Sequence, residues 1–313
     1  MDQPAQRRRR YAAVAATDRA FLVAVYAAVG LFVLLVALLF ASLVHGSWPS
    51  LREFGFRFLW TSQWNPVTNQ FGALPLIFGT LVSSFIAILL AGVVGVLAAA
   101  FLAEFAPRWL ARPLSFIIEL LAAVPSVVFG LWGLFVLAPA VRTSIGPFLQ
   151  KTLGFLPIFG GPIYGVGLLT AGLVLALMIL PTVTAISREV ISAIARDQRE
   201  AAMALGATKW ETVAGVVLPA ARVGIFGAIV LALGRALGET IATTMVIGNR
   251  PEIAASLFAP SYTLASVIAN EFTEANGKIY VSALVELGLL LFLVSFVVNG
   301  FARILLYTAL RRG

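Results

Sequence analysis

The sequence predicts an all-α polytopic membrane protein with six transmembrane helices. Three observations predict it. Of 313 residues, 60% are hydrophobic and 12% charged, at a mean hydropathy of +0.98. The apolar residues gather into six runs, each of about 18 residues or more, the length that crosses a bilayer as a helix. Those runs lack the period-two alternation of a membrane β-barrel.

Composition also excludes function classes. The net charge of +8 comes from 22 Lys and Arg against 14 Asp and Glu. In a soluble chain this would point to nucleic acid. In a membrane chain, arginine-rich cytoplasmic loops account for it, and no nucleic-acid partner is expected. The chain has no Cys, so disulfides and thiolate chemistry are excluded. A lone His45 cannot build a His-rich metal site, and no metal is expected.

Residues 1–19 are polar and carry Arg7, Arg8, Arg9, Arg10 and Arg19, read as a cytoplasmic tail and topology signal; a patch for membrane lipid is the alternative. The next apolar run is too long for a cleavable signal peptide, so none is expected. Residues 20–70 hold the first span, about 21–44, and a periplasmic loop. That loop, 45–72, carries Trp48, Trp60 and Trp64, expected as an interfacial belt.

A five-helix core fills residues 71–308. Its first helix, the second span, covers about 74–103, and Glu104, Pro107, Arg108, Arg112 and Pro113 then suggest a short turn. Span three, about 114–137, is interrupted by Pro125, which frees a carbonyl and kinks a helix. Residues 138–162 contain Pro139, Pro147, Pro157 and Pro162 and are expected as a loop with a short interfacial piece near 148–153. Span four is about 164–187, span five about 223–247, and span six about 279–306. Between the last two lies a polar loop, 248–278, ending in the turn signal Asn276–Gly277; residues 309–313 are a second cytoplasmic tail.

Six spans put both termini on one side. Placing that side in the cytoplasm leaves 15 of the 22 basic residues inside, 6 outside and Arg235 within span five. The expected location is therefore a multi-pass membrane protein with both ends cytoplasmic, and the segment 196–219 is cytoplasmic too.

That segment, RDQREAAMALGATKWETVAGVVLP, is charged and helix-forming. Asp197 with Glu200 matches a capping box, and Thr208 with Glu211 repeats it. Gly206 suits the left-handed position that ends a helix, and Pro219 marks the far limit. The expected form is two short helices with a bend between them.

Catalytic patterns are missing: the sequence holds no phosphate-binding P-loop, no paired-histidine zinc motif and no dinucleotide fingerprint. No catalytic residue and no cofactor are expected in this chain; if ATP drives it, another chain binds the nucleotide. The informative charges are Arg235 and Glu239 in span five. Arg235 lies about 18 Å along the helix from residue 223, where a charge costs on the order of 2.5–3.5 kcal/mol. The i,i+4 spacing lets the two pair, and Gly234 and Gly238 form a small-residue ridge for a neighbouring helix. Two readings follow. The pair locks helices together, or Arg235 offers a bidentate donor to a crossing anion with Glu239 orienting it. Ser83, Ser84, Thr240, Thr243 and Thr244 are candidates to line a polar path. Glu119 and Glu286 are expected at water-exposed or interfacial positions.

Glu200-Ala201-Ala202, three residues, Gly206, nine residues, then Val216-x-Leu218-Pro219 resembles the coupling signature of permease subunits in bacterial ABC importers, with Val216 where that family has Ile. FGALPLIFGTLVSS, FLAEFAP, AAVPSVVFGLWGLFVLAP and LGRALGETIATTMVIGN are similar to the phosphate-specific permeases of the PstC type. The resemblance implies a type I ABC importer permease core, MetI-like, with a cytoplasmic coupling helix, in a bacterial inner membrane. It implies a heterodimer with a PstA-type permease, two copies of a cytoplasmic ATPase carrying ATP and Mg, and a periplasmic or lipid-anchored phosphate-binding protein. The family's substrate-path Arg and Glu carry over to Arg235 and Glu239. Its ATPase contact carries over to Glu200, Ala201, Ala202, Gly206, Leu218 and Pro219. Four rivals remain on sequence alone: a sibling permease for sulfate or molybdate, an ATP-independent secondary transporter or channel, a membrane-embedded enzyme, disfavoured because no nucleophile–base pair or metal cluster appears, and an intramembrane scaffold in which Arg235 and Glu239 only pair.

Overall fold

The computed structural model describes the backbone of residues 3–310 and the side chains of residues 18, 19 and 21–304. The Arg7–Arg10 side chains, Arg311 and Arg312 lie outside the described residues, and so does any lipid or topology role for them.

Nearly all of the described chain is helical. Helix α1 (Gln3–Phe54) runs on past its expected end to Phe54, followed by the single turn α2 (Arg57–Trp60). Helix α3 (Leu74–Ala100) continues through a π-turn, Phe101–Phe105. Helices α4 (Arg108–Ala123) and α5 (Ser126–Trp132) meet at Val124–Pro125, and α5 carries on through α6 (Ala138–Ala140) and α7 (Gly146–Leu153). Helix α8 (Leu168–Ala193) precedes α9 (Arg196–Ala204) and α10 (Lys209–Thr212). Then come α11 (Leu218–Leu237), α12 (Ile241–Val246), α13 (Leu264–Glu271) and α14 (Lys278–Leu310). Six stretches are long and apolar enough to cross a membrane: Phe21–Phe54, Leu74–Phe105, Ser126–Leu153, Leu168–Ala193, Lys209–Leu237 and Lys278–Ile304. One isolated bridge, Asn65 with Gln70, is the β-structure among the described residues.

Several sequence expectations need correction, and proline explains most of them. The loop expected at 138–162 is helix as far as Leu153, and the short turn expected at 104–113 opens α4 instead. Pro139, Pro147 and Pro219 all sit inside continuous helices, each as the second residue after a five-residue π-turn. Pro107 follows the fourth π-turn at the same spacing. A proline lacks the N–H and clashes with the carbonyl four residues back. Widening the preceding turn moves that carbonyl away, so the helix passes through. Pro219 therefore does not end a helical element. Residues 209–237 form one unbroken span whose first turn is α10.

Helix α8 is the centre of the bundle: 67% of its apolar window is buried, against 0% for α1. It packs on α3, α11 and α4, while α1 lies on α14. The seams are built from small residues. A methyl on Gly95 would stand 2.9 Å from Val183, on Gly172 2.6 Å from Ile86, and on Gly224 2.5 Å from Val190. Without a hydrophobic drive between helices in lipid, such close approach is what associates them. The expected ridge does not serve this purpose: the nearest foreign atom to a methyl at Gly234 is Asn299, at 3.6 Å, and Gly238 faces only its own helix.

At the end of the bundle opposite α9, residues 55–73 fold under α13 and the start of α14. Trp64 is buried there, contrary to the expected belt role, and its indole N–H donates to Glu271 Oε2 at 2.8 Å. Tyr280 Oη donates to the same oxygen at 2.7 Å. Burial, with Glu271 close by, pushes the Tyr262 hydroxyl up to about 12, so it stays neutral while accepting from Asn270. Trp48 and Trp60 are exposed, as expected, and Arg52 stacks over the Trp48 ring at 5.1 Å.

Candidate functional site

The expected fifth span is not one helix. α11 ends at Leu237, Gly238 and Glu239 are non-helical, and α12 starts at Ile241. Arg235 and Glu239 therefore flank a break rather than share a helical face. No ion pair joins them among the described residues. Arg235 is exposed, and its Nη1 donates to Thr182 Oγ1 of α8 at 3.5 Å. Glu239 is engaged elsewhere: its Oε1 accepts the Ala242 backbone N–H at 3.1 Å, one of the four donors that a helix start leaves unsatisfied. The local sequence explains the break. Gly238 takes a bridge conformation (φ −92°, ψ 0°), and the Thr240 hydroxyl donates to the Gly238 carbonyl at 3.2 Å, competing with the helix ladder.

A second break stands at the same level. Helices α5 and α12 pack together and touch where Gly130 meets Ala242 and Met245 and Gly133 meets Val246. Pro125, expected as a kink, is instead the N-cap of α5, with extended backbone (φ −59°, ψ 143°). Interrupted helices side by side, with an unpaired cation at one of them, are how membrane carriers expose backbone and charge to a polar substrate. Of the other path candidates, Thr240 is half-buried at the break, whereas Thr243 is fully packed away with no partner for its hydroxyl among the described residues. Ser83 and Thr244 donate their hydroxyls to carbonyls of their own helices, and Ser84 is buried.

The segment 196–219 forms the expected bend. Gly206 has φ +91°; its N–H donates to the Met203 carbonyl and that of Ala207 to the Ala202 carbonyl, a Schellman ending of α9. Thr208 and Glu211 form the full reciprocal box. The first box does not form: Ala195 occupies the N-cap, and Asp197 lies inside the first turn. Glu200, Ala201, Met203 and the 90%-exposed Leu205 project from α9, so its outer surface is free to dock. Leu218 is half-buried and Pro219 exposed. A methyl at Gly206 meets nothing within 4 Å, so only backbone conformation opposes substitution. Gly206→Val should therefore strain the bend by about 1–2 kcal/mol and weaken coupling to an ATPase, while Gly206→Asn, which tolerates the left-handed region, should largely restore it. ATP hydrolysis by the assembled complex checks both.

Sequence reasoning missed what holds this segment. Arg199 donates through Nε and Nη2 to Glu104 Oε1, at 3.0 and 2.6 Å, and through Nη2 to the Ile191 carbonyl at 2.8 Å. Nη1 reaches the Ile194 and Ala195 carbonyls. One guanidinium thus caps the end of α8, holds α9, and ties both to the π-turn after α3. Lys209 Nζ lies 5.3 Å from the centre of the Phe105 ring, and the Trp210 ring packs against it at a tilt, 6.2 Å between centres, fixing α10 to the same turn. The signal was two opposite charges 95 positions apart, which no local pattern pairs. Glu286 also departs from expectation: it is buried beside Ser50 of α1, with Oε2 unpartnered among the described residues. Glu119 is exposed, as expected.

A bundle of six apolar helices, broken helices beside a cation and a rigid bent segment at one end define a membrane permease of the type I ABC importer fold. The chain belongs to the family of binding-protein-dependent transport system inner membrane components, whose model matches residues 91–306. Curated relatives are the phosphate transport system permease proteins PstC of Mesorhizobium japonicum, 47% identical over 97% of this chain and 95% of that one, and of Pasteurella multocida, 49% identical over 87% and 86%. A solved chain of the MetNI methionine ABC transporter, in inward-facing conformations, shares the fold at a TM-score of 0.50 and 21% identity, covering 72% of this chain and 92% of its own.

Proposed function

We propose that this chain is a transmembrane subunit of an ATP-driven phosphate importer, forming half of a heterodimeric path with a PstA-type permease. The observation that carries the reading is Arg235: an exposed guanidinium at a helix break, with only a threonine for partner among the described residues. The names of the relatives support the substrate. Two ATPase copies carrying ATP and Mg would dock on α9, and a periplasmic or lipid-anchored phosphate-binding protein would deliver substrate at the opposite end. The chain would lie in the inner membrane with both termini cytoplasmic, and hydrolysis would belong to the partner.

Phosphate released near Arg235 meets a planar fork that matches two of its oxygens. Glu239 does not compete for that fork; it holds the start of α12 and so the shape of the break. ATP-driven closure displaces α9, and the Arg199 contacts carry the movement to α3 and α8, which wall the break through Thr182. Uptake of labelled phosphate by the reconstituted complex tests the substrate. An excess of unlabelled phosphate on the order of a hundredfold should abolish it, and the same excess of sulfate or molybdate should leave it; suppression by sulfate or molybdate would reassign the substrate.

A further inference from the structure

A cavity of about 410 Å³ opens between the π-turn that follows α3, the middle of α4 and the end of α8. Arg112 and Ser115 of α4 and Arg188 and Ser192 of α8 line it, with Glu119 and an apolar wall that includes Phe116. Neither guanidinium has a hydrogen bond or ion pair with any described residue. Two cations against one carboxylate leave the cavity net positive. The Ser115 hydroxyl already donates to the Ala111 carbonyl at 2.6 Å, so Ser192 and the two arginines are its free donors. Its volume falls within the roughly 300–1,000 Å³ of ligand clefts.

The cavity is separate from Arg235. Arg188 lies six residues beyond Thr182 on α8, roughly 9 Å along the axis and about 120° around it. It sits at the α9 end of the bundle, one residue from the coupling anchor, since the wall residue Ala103 directly precedes Glu104. Unpaired arginines at a membrane end commonly just reach for water. Here they line one cavity from two helices, together with the Ser192 hydroxyl and an apolar wall.

We propose that this cavity binds a phosphate-type oxyanion, either the headgroup of an anionic lipid or a free phosphate ion, clamped between Arg112 and Arg188. An occupant there braces α4 against α8 next to the Glu104–Arg199 contact. The assembled complex in neutral detergent tests it with two probes. Phosphatidylglycerol retention is read by native mass spectrometry. Inorganic phosphate binding is read by calorimetry in an Arg235→Gln background, which keeps the pore site out of the count. Arg112→Gln/Arg188→Gln should weaken one probe about tenfold or more, and which probe it weakens names the source. Glu119→Gln removes the competing carboxylate and should tighten the same probe several-fold, a gain that misfolding cannot produce. Unchanged binding of both probes in the Glu119→Gln and double variants overturns the proposal, and if the double variant fails to assemble, unchanged binding in Glu119→Gln alone overturns it.

Discussion

An Arg235→Gln complex is expected to lose phosphate uptake by about 100-fold or more, while assembling normally and hydrolysing ATP at its basal rate. The size follows from the chemistry. A hydrogen bond to a charged group is worth about 1.5–3 kcal/mol, and a guanidinium gives phosphate two. Exposure of Arg235 in the free chain argues for the low end, about 3 kcal/mol, which is two powers of ten. Arg235→Lys keeps the charge and loses the fork, so it should retain about a tenth of the uptake. Glu239 provides the contrast. Its carboxylate accepts an N–H from Ala242, and an amide oxygen can do the same. Glu239→Gln should therefore keep most uptake, and Glu239→Ala should lose several-fold more. If Glu239→Gln proves as damaging as Glu239→Ala, charge rather than helix capping is what that position supplies. Uptake into proteoliposomes, with ATPase rates from the same vesicles, separates these outcomes.

Breaking the Arg199–Glu104 contact is expected to uncouple the complex rather than stop substrate recognition. Both side chains are largely buried, 16% and 10% exposed, so neither charge can fall back on water. Removing one partner of such a pair costs about 3–5 kcal/mol, because the other is left unpaired. Arg199→Gln also frees the carbonyls of Ile191, Ile194 and Ala195, and α9 loses its anchor to α8. Phosphate moved per ATP hydrolysed should fall about tenfold or more in Arg199→Gln. Glu104→Gln should fall less, since the carbonyl contacts of Arg199 survive. Delivery by the phosphate-binding protein should saturate at the same concentration as in the unaltered complex. An unchanged transport-to-hydrolysis ratio in Arg199→Gln would show that force reaches the bundle by another route.

The sequence made six spans, the bend at Gly206 and the Thr208–Glu211 box legible, because each rests on a local cause: an apolar run, a residue free to adopt positive φ, a short-range side-chain bond. The parts it hid are non-local or depend on context. Pro139, Pro147 and Pro219 look like helix breakers until a π-turn ahead of each absorbs the clash. Arg235 and Glu239 fit an i,i+4 pair until Gly238 and Thr240 interrupt the helix between them. Trp64 looks interfacial, and only its distant partner Glu271 satisfies the indole N–H that burial takes from water. The Glu104–Arg199 anchor joins α9 to the end of the second span, an adjacency that nothing local encodes. No local pattern pairs Arg235 with Thr182, 53 positions away.

The claim that this chain moves phosphate by using the work of a separate ATPase is tested most directly in sealed proteoliposomes holding the assembled complex and its binding protein. Phosphate is placed on one side, ATP on the side of α9, and no ion gradient is imposed. Accumulation is expected only when ATP is present and the ATPase subunits are bound. Accumulation without ATP, or by the permease subunits alone under an ion gradient, would contradict the account and make the chain a secondary transporter.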